Sequence, residues 1–93
     1  MHLISLQLET TLNFKNNLIK LQNCISKAPN DSIILAPELY LNGYSYNRLS
    51  EAITITNKAI PLLKELSTNK TIAITMTTKQ DNNYLNTLHI FAN

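Results

Sequence analysis

The chain has one cysteine, one glycine, one arginine and no tryptophan. With Cys24 alone, no intrachain disulfide can form. His2 and His89 stand apart from each other and from Cys24, so no Cys/His set has metal-ligand spacing. Each histidine reads as a structural strand residue, and neither a metal nor any other cofactor is implied. The lysines are spread singly at positions 15, 20, 27, 58, 64, 70 and 79. Nucleic-acid binding needs a basic stripe or cluster, and there is none. No apolar run approaches the length that spans a bilayer. The N-terminus lacks the charged start and small-residue cleavage site of a signal peptide, so the expected location is cytoplasmic, with no membrane partner. Charge of either sign is scarce. Only 15% of residues are charged, for a net charge of +2, against roughly 25% in an ordinary soluble domain. Part of this surface is therefore expected to be covered.

What is present suits a globular chain. The hydrophobic fraction is 44% over 93 residues, which is one small domain or a piece of a larger one, with a thin core. Leu3–Leu8 reads as a first strand. Asn13 can cap a helix whose face is Phe14, Leu18, Leu21 and Ile25, running to about Lys27. Ala28-Pro29-Asn30-Asp31 stops it. Ser32–Ala36 is continuously apolar after its serine, as expected of a parallel strand covered on both faces. Residues 51–56 are rich in β-branched side chains and ambiguous between loop, helix and strand. The main second helix is placed near 58–67, because Pro61 belongs in a first turn or else makes a kink. Thr71–Thr77 is a third strand, Lys79–Asn83 a polar turn, and Tyr84–Phe91 a fourth strand antiparallel to the third. The result is an α/β chain of order β-α-β-α-β-β, without internal repeat, low-complexity segment or linker. Its sheet is left with an uncovered face and unpaired edges, so either poor stability or self-association, as in a homo-oligomer, is expected.

The most informative stretch is Ile33–Tyr46. An apolar strand ends at Pro37, Glu38 follows at once, and the only glycine, Gly43, comes between Asn42 and Tyr44. A carboxylate at the C-terminal end of a core strand is where open α/β folds place ligand chemistry. A second reading stands beside this one. Asn-Gly between short apolar-aromatic runs is a strong hairpin signal, which would pair Leu39–Leu41 with Tyr44–Tyr46 and leave Glu38 an exposed strand-end charge.

The stretch resembles the signature around the catalytic glutamate of the nitrilase, or carbon-nitrogen hydrolase, superfamily. Asp31, Pro37-Glu38 and Gly43-Tyr44 carry the resemblance most specifically. Gln7, Asn17-Leu18, and Tyr84, Asn86 and Thr87 extend it over the chain, the last group with Leu85 as an inserted residue. The resemblance implies the N-terminal part of a four-layer α-β-β-α sandwich, so that residues 1–93 are a partial domain. It also implies a Glu-Lys-Cys set acting on non-peptide C–N bonds of a small amide or nitrile substrate. The thiolate attacks carbon, the glutamate moves the proton, and the lysine stabilises the tetrahedral intermediate. Glu38 takes the glutamate role. The lysine is expected just past the fourth strand and the cysteine much later, both beyond Asn93, so this chain alone is expected to be inactive. Cys24 reads as a half-buried helix residue and Lys79 as solvated. Tyr44 and Tyr46 either line the substrate pocket or pack under the motif loop, and packing is favoured. Arg48 either meets a substrate carboxylate or is a surface arginine, the second being favoured. The rival to the whole reading is a complete small α/β binding or interaction module without catalysis.

Overall fold

The Asn13 side chain accepts from the Asn16 backbone N–H at 3.0 Å, satisfying one of the free donors that open a helix. Helix α1, Phe14–Lys27, follows and buries Phe14, Asn17, Leu18, Leu21 and Ile25 on one face. The Ala28 N–H closes on the Ile25 carbonyl, and the Lys70 ammonium donates to that same carbonyl at 2.7 Å, a cation at a helix C-terminus. These contacts belong to a computed structural model that describes residues 1–44 and 46–92. Around α1 lie β1 (His2–Ser5) and β2 (Ser32–Leu35). A 3-10 turn at Tyr46–Arg48 leads into α2 (Leu49–Leu66), and β3 (Lys70–Gln80) and β4 (Asn83–Phe91) complete the order.

The strands form one mixed sheet in the order β1-β2-β3-β4, with β1, β2 and β3 parallel and β4 antiparallel to β3. Both parallel crossovers step in the same direction, so both helices fall on the same face. On that face Ile34, Ile72, Ile74, Met76 and Phe91 meet the apolar stripes of α1 and α2 in one core cluster. Ile34, Ile72 and Phe91 are cross-strand partners, so they point the same way. Burying each such side chain is worth about 1.5–3 kcal/mol.

Among the described residues no helix covers the opposite face. Leu35, Ala73 and Ile90 form one cross-strand row, and Leu3 and Ile33 another. Leu3 is 73% exposed, Leu35 40%, Leu88 58% and Ile90 64%. The expectation that β2 is covered on both faces is therefore corrected. Ile34 is fully buried, while Leu35 looks away from both helices.

Other boundaries move for identifiable reasons. β1 ends at Ser5, not Leu8; the Leu6 N–H makes one last rung to the Leu35 carbonyl, and there β2 ends too. The second helix starts at Leu49 rather than near 58. Burial of Ala52, Ile55, Thr56 and Ala59 at helical spacing overrides the β-branched propensity of residues 51–56. The Thr56 hydroxyl is also satisfied, donating to the Thr77 carbonyl at 2.7 Å. Pro61 sits well inside this helix, neither in its first turn nor at its end. It is exposed, as is Asn57, so the carbonyl that loses its intrahelical donor faces water. The β3–β4 turn is shorter than expected, only Asp81 and Asn82, with Asp81 at φ 55°.

Candidate functional site

Past Leu35 the ladder continues for one bond, Ala36 N–H to the Ala73 carbonyl, and Pro37 then ends it by lacking a donor. The chain turns back on itself. Tyr40 N–H bonds to the Pro37 carbonyl, and both Asn42 and Gly43 donate to the Leu39 carbonyl, at 3.3 and 2.6 Å. Leu39 has φ 48° and Gly43 φ 59°. A Cβ at Gly43 would come within 3.3 Å of the Thr10 methyl, so glycine serves both backbone angle and space. This turn replaces the expected alternative of an Asn-Gly hairpin. Residues 39–41 are not a strand, and they are buried, with Tyr40 and Leu41 at 0% exposure.

Side chains from three other segments hold the turn. Leu39 N–H donates to Thr75 Oγ1 at 2.8 Å, and Thr10 Oγ1 donates to the Tyr40 carbonyl at 2.9 Å. Asn42 Nδ2 donates to Thr77 Oγ1 at 3.0 Å. The fourth tie is Asn17, buried on α1. Its Nδ2 donates to the Leu41 and Thr11 carbonyls, both at 2.9 Å, while its Oδ1 accepts from Thr11 N–H and Oγ1. Nothing in the periodicity of α1 distinguishes Asn17 as a clamp; the available signals are its place in the Asn17-Leu18 pair of the resemblance and its polar side chain on the buried stripe. Two buried atoms of the turn, Tyr40 Oη and Asn42 Oδ1, have no hydrogen-bond partner among the described residues.

Glu38 opens this turn with its side chain exposed. Tyr44 Oη donates to Glu38 Oε2 at 2.8 Å, and Asn86 Nδ2 donates to Glu38 Oε1 at 3.2 Å. The bond to the carboxylate holds the Tyr44 phenol above its ordinary pKa, with slight desolvation and the Glu38 charge adding to the shift. Asn86 is the cross-strand partner of Thr77, in the β4 row that includes Leu88 and Ile90. The carboxylate therefore lies at the mouth of β2, on the rim of the uncovered sheet face.

Beside it is a cleft of about 430 Å³, walled by Tyr44, Tyr46, Leu49, Tyr84 and Leu85 over Asn42. Tyr44 and Tyr46 are 59% and 75% exposed, so they do not pack beneath the loop, the arrangement favoured from sequence. Their rings meet at 6.4 Å and stand at the cleft wall. A larger groove of about 660 Å³ lies between the N-terminal ends of α1 and α2, but its one charged cluster is structural. There the Arg48 guanidinium stacks over the Phe14 ring at 4.0 Å, donates to the Leu12 carbonyl, and pairs with Glu51 at 2.6 Å. Arg48 is thus a surface arginine, the reading favoured from sequence, paired with Glu51 and absent from the cleft wall.

Among the described residues, the partners of Glu38 are Tyr44 and Asn86, and no cysteine, lysine or histidine bonds to it. Cys24 is half-buried on α1, in the helix layer. Lys79 lies 5.6 Å from the Tyr84 ring centre, and the ion pairs among the described residues are Met1–Asp31 and Arg48–Glu51. His89 stacks on Phe91 in β4 at 6.0 Å. Among the described residues no group of three or more His, Cys, Asp and Glu could hold a metal ion, and no helix is long and apolar enough to cross a membrane.

The architecture has a counterpart among solved structures. The chain is similar to a glutamine-dependent NAD(+) synthetase from Cytophaga hutchinsonii, with a TM-score of 0.67 over 91% of its length and 22% sequence identity. The likeness is one of fold. The chain spans 16% of that protein's length. No family model matches the sequence, and no curated protein does.

Proposed function

We propose that residues 1–93 form the N-terminal part of a carbon-nitrogen hydrolase domain of the nitrilase type, with Glu38 as its general base. The observation that carries this reading is the setting of Glu38. It stands at the C-terminal mouth of a parallel strand, on a turn held by four side-chain hydrogen bonds, facing the uncovered side of the sheet. The similar structure supports it, because an enzyme that depends on glutamine draws on a carboxamide, and releasing that nitrogen breaks a C–N bond. The apolar sheet face supports the inner layer of an α-β-β-α sandwich, since one face already carries both helices.

In this reading Glu38 takes the proton of a thiol as sulfur attacks the carbon of an amide or nitrile, and later takes a proton from the hydrolytic water. The lysine and the thiol come from outside residues 1–93, so the 93-residue chain by itself has no turnover toward amides or nitriles. The test is a chimera in which residues 1–93 replace the matching opening segment of a carbon-nitrogen hydrolase. Turnover is expected, and Glu38→Gln should reduce it about a hundredfold or more without shifting the melting temperature. Unchanged turnover in the variant would make Glu38 a bystander. Loss of turnover together with a collapsed melting curve would make it structural.

A further inference from the structure

We propose that Tyr44 and Asn86 are positioning residues that fix the direction in which Glu38 presents its carboxylate. The inference rests on the reading of Glu38 as a base and adds the means by which that base is aimed. An exposed glutamate has three side-chain torsions and samples several staggered rotamers. Here each carboxylate oxygen has its own donor, Tyr44 Oη on one and Asn86 Nδ2 on the other, and the donors come from different elements. Two donors on two oxygens set the plane of the carboxylate as well as its position.

Both donors are themselves located by the fold. Tyr44 follows Gly43, whose positive φ closes the turn that Glu38 begins. Asn86 is placed by the β3–β4 register, opposite Thr77, and Thr77 accepts from Asn42 of the same turn. One cross-strand pair thus reaches both ends of the loop. A slip of one residue in β4 would carry Asn86 to the helix-facing side and release Glu38. The register from Ile72–Phe91 to Gln80–Asn83 runs without a break through Leu85.

An ionised carboxylate accepts about four hydrogen bonds, so two donors leave acceptor capacity on each oxygen for a thiol or a water. Tyr44 also stands in the wall of the adjoining cleft, so a ligand filling that cleft would touch one of the groups that aim the base. Because Glu38, Tyr44 and Asn86 are all exposed, losing either donor should disturb the carboxylate far more than the fold.

The experiment uses the 93-residue chain, labelled with carbon-13 at glutamate, and the variants Tyr44→Phe, Asn86→Ala and both together. Three-bond couplings of Glu38 are expected to report a single rotamer in the parent, partial averaging in each single variant, and full averaging in the double. Glu9 and Glu65, both exposed, serve as freely rotating references, and melting temperatures should stay together. In Glu38→Gln the Tyr44 phenol should titrate at lower pH, back toward its ordinary value of 10.0. An averaged Glu38 in the parent, couplings that ignore both substitutions, or an unmoved Tyr44 titration would overturn the proposal. The outcome is separable from that of the base assignment. A Glu38 ordered by both donors, beside a chimera indifferent to Glu38→Gln, would uphold the positioning and end the hydrolase reading. A disordered Glu38 beside a slow Glu38→Gln chimera would do the reverse.

Discussion

Replacing Asn17 by alanine tests whether the motif turn is held from the helix layer. Asn17 is fully buried and makes four hydrogen bonds, one of them 24 residues along the chain to the Leu41 carbonyl. Leu41 is also fully buried, so in Asn17→Ala its carbonyl loses the Asn17 donor where water has little access. Leaving such an acceptor unpaired costs about 1–3 kcal/mol. Thr11 is exposed and can return to water, so each of its three bonds to Asn17 adds only its net worth, about 0.5–1.5 kcal/mol. The sum is about 2.5–7.5 kcal/mol, or a fall of about 10 °C or more in melting temperature for a domain of this size. Urea melts followed by circular dichroism give the free energy, and amide exchange at Gly43 reports the turn itself. Asn16→Ala is the control, an exposed neighbour whose backbone, not side chain, meets the cap; it should stay within about 0.5 kcal/mol of the parent. If Asn17→Ala is equally mild, or if Gly43 keeps its protection, the turn is not held by this clamp.

Tyr40→Phe should stabilise the chain by about 1 kcal/mol, because it removes a buried hydroxyl that has no partner among the described residues, and burial already raises its phenol pKa. A loss of more than about 1 kcal/mol in the same urea melts would reveal a bond that the structure lacks. Hydrogen bonds from Arg48 hold the Glu51 carboxyl below its ordinary value of 4.5. A carboxylate whose folded pKa is depressed stabilises the fold above its unfolded pKa and loses that contribution as pH falls through the folded one. Melting temperature should therefore drop less steeply in Glu51→Gln than in the parent between about pH 5 and about pH 2, and parallel curves would show that the pair contributes nothing.

Where local signals and tertiary demand agree, the sequence is legible to within a residue. α1 runs Phe14–Lys27 as its apolar spacing and Asn13 imply, and β4 begins one residue before the expected Tyr84. The misreadings share a cause. Residues 49–57 were obscured by β-branched propensity and by Pro61, both overridden once Ala52, Ile55 and Ala59 were buried against the sheet. Asn42-Gly43 carries a strong hairpin signal, but Tyr40 and Leu41 gain more by entering the core than by pairing, and Gly43 serves the turn instead. The place of Glu38 after an apolar strand is legible in the sequence. Its two donors are not, since Asn86 is 48 residues away and reaches it only through strand register. For Tyr44 the sequence leaves packing and pocket lining both open, because an aromatic residue in a loop gives no sign of whether its hydroxyl or its ring will be used.

The scarcity of charge and the one-sided sheet are the same fact. Strand alternation sends Leu3, Ile33, Leu35, Leu88 and Ile90 to the face that carries no helix, and no ionisable side chain interrupts those rows. A sheet built to face water there would alternate apolar with polar residues. An apolar surface of this kind marks an interaction site or a place where more protein packs. Glu38 stands on the rim of that surface, so whatever layer covers it also determines how much water reaches the carboxylate. Exposed, the carboxylate has its electrostatics screened by water. Under a second layer its bonds from Tyr44 and Asn86 would act in a lower dielectric, where they are worth more and where a proton taken from a thiol is less readily lost to solvent. In the proposed reading, then, the apolar face is part of the catalytic apparatus: it sets the wall that turns a well-aimed surface carboxylate into an enclosed base.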